Sequence, residues 1–195
     1  MKTIKVKIEH ELIVKKSKFI ALLYHITSEE QAIDIISAVK GEYKNASHYC
    51  YAYIINNIKR SSDDGEPSGT AGIPILSVLE KNDLDRILCV VVRYFGGIKL
   101  GAGGLIRSYG KCVREALETT ELVNIYKCYK VSISFTYEDL KDIDFIINKV
   151  SIIKKDFGDN IKYIILLKED EVNIIERLKL ANAELIEVKE DYYFE

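Results

Sequence analysis

The chain has 195 residues, of which 48% are hydrophobic and 30% are charged, a composition that excludes a disordered or low-complexity protein. The formal net charge of −2 is unevenly distributed, since residues 1–123 carry 17 basic and 15 acidic side chains while residues 124–195 carry 11 and 15. An anionic partner is therefore expected to bind the first of these two segments.

The start of the chain predicts two strands, a helix and a third strand. Residues 4–14 contain the alternating IKVKI, and residues 18–26 form a mostly apolar run, so both are predicted as strands of a hairpin. Ser28 opens a capping-box pattern and Gly41 supplies a C-terminal stop, which predicts a helix between them. Residues 48–56 are predicted to form a third strand.

The next part of the chain predicts a loop, two helices and a buried strand. Residues 57–72 are polar and are predicted as a loop, and Pro74 marks the start of a short helix. Residues 87–94, ILCVVVRY, are rich in apolar and β-branched residues, which is typical of a strand covered on both faces. A glycine-rich loop and a helix over about residues 104–122 follow.

The second segment predicts the order strand, helix, strand, strand, helix, strand. Its first strand covers residues 125–136, with Thr136 as the cap of the next helix, and its middle strands, SIIKKDF and KYIILLK, are joined by a turn at residues 158–160. This order is that of the ferredoxin-like, split βαβ arrangement. The fold class is therefore predicted as α+β, with domains 1–123 and 124–195.

A cluster of glycines indicates a functional surface in the first segment. Nine of the eleven glycines lie between residues 65 and 110, and the run RYFGGIKLGAGG separates a strand from a helix. Glycines at 101, 103 and 104 would let the backbone approach a ligand, and the N-terminus of the next helix would attract an anion. A tight turn without a ligand stays open as the alternative, because the run is neither a Walker loop nor a dinucleotide fingerprint.

Basic side chains accompany this glycine-rich run. Arg107, Lys111 and Arg114 lie on one face of the predicted helix, where an ordinary solvated face is the alternative. Tyr94 is a candidate for stacking on bases, although aromatic residues after a buried strand commonly belong to the core. The predicted phosphate- or nucleic-acid-binding set is Lys18, Arg93, Tyr94, Lys99, Gly101, Gly103, Gly104, Arg107, Lys111 and Arg114.

The acidic run DDGEPSGTAG gives a second candidate site. Its carboxylates could act as metal ligands or as acid and base, or the run could be a surface loop of turn-forming residues or a scaffold against the glycine-rich loop. Known hydrolase signatures such as HExxH and GxSxG are absent from the sequence. No catalytic or metal-binding residue is therefore predicted with a role. The candidate functional set is His48, Asp63, Asp64, Glu66, Ser68 and Thr70.

The chain is expected to be a cytoplasmic protein without a membrane partner. The start, MKTIKVKIEH, lacks the apolar stretch of a signal peptide, and no run approaches the ~20 apolar residues of a membrane span. The four cysteines lie far apart without CxxC spacing, so they are expected to be reduced thiols rather than metal ligands. No metal or other cofactor is expected.

Four segments closely resemble motifs of the IMPACT/YigZ family. The longest are DDGEPSGTAGIPIL (residues 63–76) and VVRYFGGIKLGAGGLIRSYG (residues 91–110), and KKSKFIA (residues 15–21) and ASHYCYAY (residues 46–53) precede them in the family's order. The resemblance implies a first domain similar to the second domain of the ribosomal protein S-five superfamily. It also implies a ferredoxin-like second domain similar to domain five of elongation factor G.

The resemblance also bears on function, since eukaryotic relatives regulate translation and some bacterial relatives have been labelled dipeptidases. We therefore predict a non-catalytic protein that binds RNA or the ribosome and regulates translation, with a protein partner as a further option. The alternative is a hydrolase or phosphate-ligand enzyme that uses Asp63, Asp64, Glu66 and His48.

Overall fold

The apolar run ILCVVVRY forms the central strand of a five-stranded antiparallel sheet in the first of two units of the chain. The computed structural model describes residues 1–194, and the first unit ends at Asn124. Its strands are β1 (Lys2–Thr3), β2 (Ile8–Val14), β3 (Ser17–His25), β4 (His48–Ile55), β5 (Ile58–Ser62) and β6 (Ile87–Tyr94). The sheet order is β2-β3-β6-β4-β5.

Helices cover both faces of β6, which explains why its sequence is apolar at successive positions. Cys89 and Val91 belong to the core beneath α2 (Gly72–Lys81) and α3 (Gly101–Glu118), whereas Leu88 and Val90 belong to the core beneath α1 (Glu29–Glu42). This division follows from the alternation of side chains along a strand.

Several elements differ from the sequence prediction. The helix predicted over about residues 104–122 spans Gly101–Glu118, and the strand predicted over residues 4–14 begins at Ile8. Ser28 caps α1 as predicted, with its hydroxyl accepting from the Gln31 N–H at 3.2 Å, but the helix continues through Gly41 to Glu42. The segment predicted as a polar loop contains β5, an edge strand paired with β4. These last two predictions were wrong, because backbone pairing and helix propagation overrode a polar composition and a single glycine.

The second unit begins at Ile125 and contains the predicted order of elements. They are β7 (Val123–Phe135), α4 (Leu140–Ile146), β8 (Ser151–Phe157), β9 (Ile161–Lys168), α5 (Ile174–Leu180) and β10 (Glu184–Phe194). The antiparallel sheet has the order β8-β9-β7-β10. Thr136 is not the helix cap, since Asp139 precedes α4 and accepts a 2.6 Å hydrogen bond from the Thr136 hydroxyl.

The strand β1 pairs with the last two residues of the first unit. Lys2 pairs with Asn124 and Thr3 pairs with Val123, so the beginning and the end of this unit lie side by side. Ile4 follows and is fully buried in the core beneath α2 and α3.

Asp63 organises the loop that leads from β5 into α2. Its Oδ2 accepts the Gly69 N–H at 2.7 Å, and its Oδ1 accepts the Ala71 and Gly72 N–H groups at 2.9 and 2.8 Å. Burial alone would raise the pKa of Asp63, but these three backbone donors outweigh it and hold the pKa below the ordinary 3.8. The carboxylate therefore acts as the missing cap of α2, whose N-cap residue Ala71 provides no side-chain bond.

Gly96 allows the loop after β6 to lie against the β2–β3 hairpin. A Cβ at Gly96 would stand 2.0 Å from the backbone carbon of Lys16, a distance that no neighbouring backbone can tolerate without shifting. The Gly96 N–H also donates to the Ser17 hydroxyl at 3.1 Å. The hairpin and the glycine-rich loop are thus fixed to one another through backbone contact.

Substitution of Gly96 tests this contact. We expect Gly96→Ala to lower the free energy of unfolding by about 1–3 kcal/mol, because the added methyl group forces two backbone segments apart. Urea denaturation measures the change. The control Gly41→Ala places its methyl group where nothing lies within 4 Å, inside α1, and should raise stability by about 0.5–1 kcal/mol. Equal effects of the two substitutions would contradict the contact.

The role of Asp63 predicts a pH-dependent loss of stability. Asn in its place cannot accept all three N–H groups, so Asp63→Asn should cost about 1–3 kcal/mol at neutral pH. Because the pKa in the folded protein is depressed, this contribution is present above the ordinary value of 3.8 and is lost as the pH falls through the folded value. The difference between wild type and variant should therefore shrink on acidification in urea titrations from pH 7 downward.

Asp34 offers a matched control for that titration. It is exposed in α1 and takes part in no hydrogen bond or ion pair among residues 1–194. Asp34→Asn should therefore change stability little at any pH. A wild-type-to-variant difference for Asp63 that stays constant with pH would rule out the carboxylate as the cap.

Candidate functional site

Three polar side chains, those of His48, Glu66 and Arg93, meet at one end of the first unit's sheet. Arg93 of β6 lies opposite His48 of β4 and opposite Phe19 of β3 in the strand register. Since Arg93 follows Cys89 and Val91 at a spacing of two, its side chain lies on the sheet face that α3 covers. The site is therefore built on strand ends beneath a helix.

Glu66 joins Arg93 in a buried ion pair. The two side chains are 3% and 6% exposed, and Arg93 Nη1 donates to Glu66 Oε1 at 2.5 Å. The same oxygen accepts the Tyr109 hydroxyl of α3 at 2.8 Å. Burial raises the pKa of Tyr109 well above its ordinary value, so the phenol keeps the proton that it donates. Both hydrogen bonds stabilise a carboxylate that has been removed from water.

His48 presents one ring nitrogen to this carboxylate. Its Nδ1 lies 2.9 Å from the backbone oxygen of Asp64, and a carbonyl can only accept, so Nδ1 carries a proton. In neutral His48 the other nitrogen, Nε2, is then an acceptor, and it lies 3.9 Å from Glu66 Oε2. In neutral His48 two acceptors therefore face one another, whereas in protonated His48 the same two atoms form an ion pair.

The remaining members of the acidic-loop set have structural partners. Asp63 holds the start of α2, and Asp64 accepts the Tyr49 N–H at 2.7 Å and the Lys40 ammonium at 3.0 Å. Thr70 is buried with its hydroxyl donating to the Pro67 carbonyl at 2.6 Å. Ser68 is exposed.

Of that predicted set, the structure brings only His48 and Glu66 together in one pocket. Within residues 1–194, no group of three or more His, Cys, Asp or Glu side chains could hold a metal ion. A site built on the three predicted carboxylates is therefore absent from the described part of the chain.

A pocket of about 480 Å³ opens above the Glu66–Arg93 pair. Apolar side chains form much of its wall. Phe95 at the rim is 49% exposed, and the centroid of its ring lies 5.5 Å from the guanidinium carbon of Arg93. Lys99 and the first residues of α3 form another side. Its lining comprises Ser47, His48, Glu66, Pro67, Arg93, Phe95, Lys99, Leu100, Gly101, Ala102 and Leu105.

A second groove of about 300 Å³ lies beside it and carries exposed cations. Lys15, Arg107 and Lys111 line this groove, and Leu100 lines both cavities. The predicted cations Arg107 and Lys111 are therefore brought together with Lys15, which the sequence analysis did not include. Arg114 is also exposed on α3.

Other members of the predicted phosphate set have different positions from those expected. Arg93 is buried against Glu66, and Lys18 is partly exposed in an ion pair with Glu11. Tyr94 lies on the opposite sheet face, beside the core beneath α1, and its hydroxyl donates to the Lys44 carbonyl at 3.3 Å.

The predicted glycines lie at the start of α3. Gly101 has φ of 71°, a left-handed conformation that glycine adopts without strain, and Gly103 and Gly104 belong to the first helical turn. The N-cap residue Leu100 contributes no side-chain hydrogen bond. The first N–H groups of α3 are thus left without a side-chain cap next to Lys99.

Tyr109 is not among the predicted site residues, yet its hydroxyl reaches Glu66 from the buried face of α3. The strand periodicity contained a usable signal, because His48 and Arg93 lie an even number of residues from the apolar residues that face α2 and α3.

None of the described helices has the length and hydropathy of a membrane span.

Comparisons with known proteins agree with the motifs. The Impact N-terminal domain family matches residues 15–117. IMPACT family member YvyE of Bacillus subtilis (strain 168) is 39% identical over 181 residues, which cover 88% of this chain and 81% of that protein. IMPACT family member YigZ of Escherichia coli (strain K12) is 36% identical over 74% of each chain.

A solved structure shares the fold as well. The crystal structure of a hypothetical protein, 28% identical in sequence, superimposes with a TM-score of 0.70 and covers 96% of this chain and 97% of its own. The resemblance stated from the four motifs is confirmed by these matches. The chain therefore belongs to the IMPACT family.

Proposed function

We propose that this protein binds RNA or the ribosome without catalysing a reaction, and that it regulates translation. The observation that carries the proposal is the group of exposed cations along α3 and in the loop that precedes it. Lys99, Arg107 and Arg114 are exposed and form no ion pair within residues 1–194. Phosphate groups are the natural counter-charge for such a surface.

The backbone of α3 supports the same reading. Its first N–H groups have no side-chain cap, and the helix dipole favours an anion at this end. Lys15 and Lys111 extend the positive surface along the second groove. Lys111 pairs with Glu115 at 3.5 Å while 54% exposed, and ion pairs of this kind are weak enough to be exchanged for phosphate.

Family and topology support a role in translation. Eukaryotic members of the IMPACT family regulate translation, and the resemblance implies domains familiar from ribosomal proteins and elongation factors. The order β8-β9-β7-β10 with two helices is compatible with the ferredoxin-like assignment of the second unit, and we propose the S-five-like assignment for the first. A cytoplasmic location follows from this role.

A hydrolase is the second candidate function, favoured by one observation. His48 lines the larger pocket, and its Nδ1–H donates to the Asp64 carbonyl at 2.9 Å, so the lone pair of Nε2 could take up a proton as a general base. Asp63 and Asp64 would take no part, since their oxygens are engaged by backbone groups and Lys40. Turnover of dipeptides that disappears in His48→Ala would favour this candidate over the first.

Removal of three cations tests the RNA-binding proposal. The variant Lys99→Ala/Arg107→Ala/Lys111→Ala should bind a single-stranded RNA more weakly, because three phosphate contacts are lost. In filter-binding titrations across salt concentrations, the slope of log K against log salt should fall by about 2, at roughly 0.7 per contact.

Lys154, Lys162 and Lys179 provide a matched control in the second unit. All three are exposed and form no ion pair within residues 1–194, so their replacement by alanine removes the same charge. The control should leave the slope near that of the wild type. Identical slopes for the wild type and both variants would refute phosphate binding at α3.

A further inference from the structure

We propose that the pocket above the Glu66–Arg93 pair receives one unpaired nucleobase that carries an exocyclic amino group. The inference rests on the proposed RNA binding and adds a selectivity to it. Adenine, cytosine and guanine have such a group, and uracil does not. The pocket combines two hydrogen-bond acceptors, an exposed aromatic ring and a lysine.

The first acceptor is a carboxylate oxygen of Glu66 that accepts no hydrogen bond from the described residues. Glu66 Oε1 accepts from both Arg93 and Tyr109, whereas Oε2 has no hydrogen bond from any of residues 1–194. The Glu66 side chain is 3% exposed and lines the pocket. Because a carboxylate oxygen can only accept, Oε2 on the pocket wall favours a ligand that donates.

The second acceptor is Nε2 of His48 in its neutral form, in which the Nδ1 proton is directed at the Asp64 carbonyl 2.9 Å away. Nε2 and Glu66 Oε2 are 3.9 Å apart. One amino group has two N–H donors at a wide angle, so a nitrogen at ordinary hydrogen-bond distance from both atoms can serve both acceptors. A carbonyl oxygen at the same place would face two other hydrogen-bond acceptors and would be repelled by them.

The shape of the pocket suits a flat ring. Phe95 is 49% exposed at the rim, and Pro67, Leu100 and Leu105 supply further apolar wall. A volume of about 480 Å³ falls in the range of small-ligand sites. Aromatic side chains of this kind stack on bases in single-stranded nucleic acids.

Another part of the pocket lining suits a phosphate. Lys99 and the uncapped start of α3 at Gly101 and Ala102 form this part. The second groove, which shares Leu100 with the pocket, continues the cations through Lys15, Arg107 and Lys111. This continuation favours a polynucleotide over a free mononucleotide, because the adjoining phosphates of a strand have cations beside them.

Uridine decamers test the selectivity. Fluorescence anisotropy would compare an all-uridine decamer with decamers that carry a single central adenosine or cytidine. The wild type should bind the substituted decamers roughly tenfold more tightly, a factor typical of one stacked and hydrogen-bonded base. Glu66→Gln should abolish this preference, because the amide replaces a pure acceptor by a group that also presents N–H donors to the exocyclic amino group. Phe95→Ala should weaken the binding of all three decamers, because every base has a face that can stack on the ring.

Two controls keep the result interpretable. Phe157→Ala removes another exposed aromatic ring, in the second unit, and should preserve both the affinity and the preference. If thermal melting shows that Glu66→Gln does not fold, His48→Ala decides, because it removes the second acceptor and its side chain is 24% exposed; an unchanged preference in His48→Ala would contradict the base pocket.

The outcomes separate this inference from the proposed function. Equal affinity for all decamers, unaffected by Phe95→Ala, would overturn the base pocket and leave RNA binding intact. Absence of binding to every decamer would refute RNA binding and this inference together. If adenosine monophosphate binds more tightly than the uridine decamer with one central adenosine, the assignment to RNA is overturned in favour of a free nucleotide.

Discussion

The buried ion pair of Glu66 and Arg93 is the interaction on which the candidate site depends. Charges removed from water persist only when they are paired and hydrogen-bonded, and here the Tyr109 hydroxyl completes the arrangement from α3. One carboxylate thereby ties the acidic loop, the central strand and the long helix together. Loss of either charged partner would leave the other as an unpaired charge in the interior. The position of these side chains at the base of the pocket therefore depends on their charges as well as on packing.

Much of the fold follows from local patterns in the sequence. The strand Ile87–Tyr94 agrees with the predicted residues because eight successive positions favour a β-strand buried on two faces. The strand Ile58–Ser62 escaped prediction because IKRSS has one apolar residue, and only its backbone pairing with β4 makes it a strand. No atom lies within 4 Å of a Cβ added at Gly41, so the low helix propensity of glycine is the one factor that disfavours helical structure at this position.

The candidate site was less predictable, because charge does not reveal burial. Arg93 was grouped with surface cations, yet its parity with Cys89 and Val91 directs it beneath α3, where a carboxylate from a distant loop meets it. Asp63 and Glu66 are three residues apart and similar in chemistry, but one caps a helix and the other faces a pocket. Only the register of β4 on β6 and the path of the loop decide between these roles.

The pairing of β1 with residues 123 and 124 makes the two ends of the first unit adjacent. A fragment that stops short of Val123 would deprive Lys2 and Thr3 of their partner strand and loosen Ile4, which is fully buried. Expression of this unit by itself thus requires both termini to be retained. The same adjacency makes the unit suited to circular permutation, since a short linker could join its native ends.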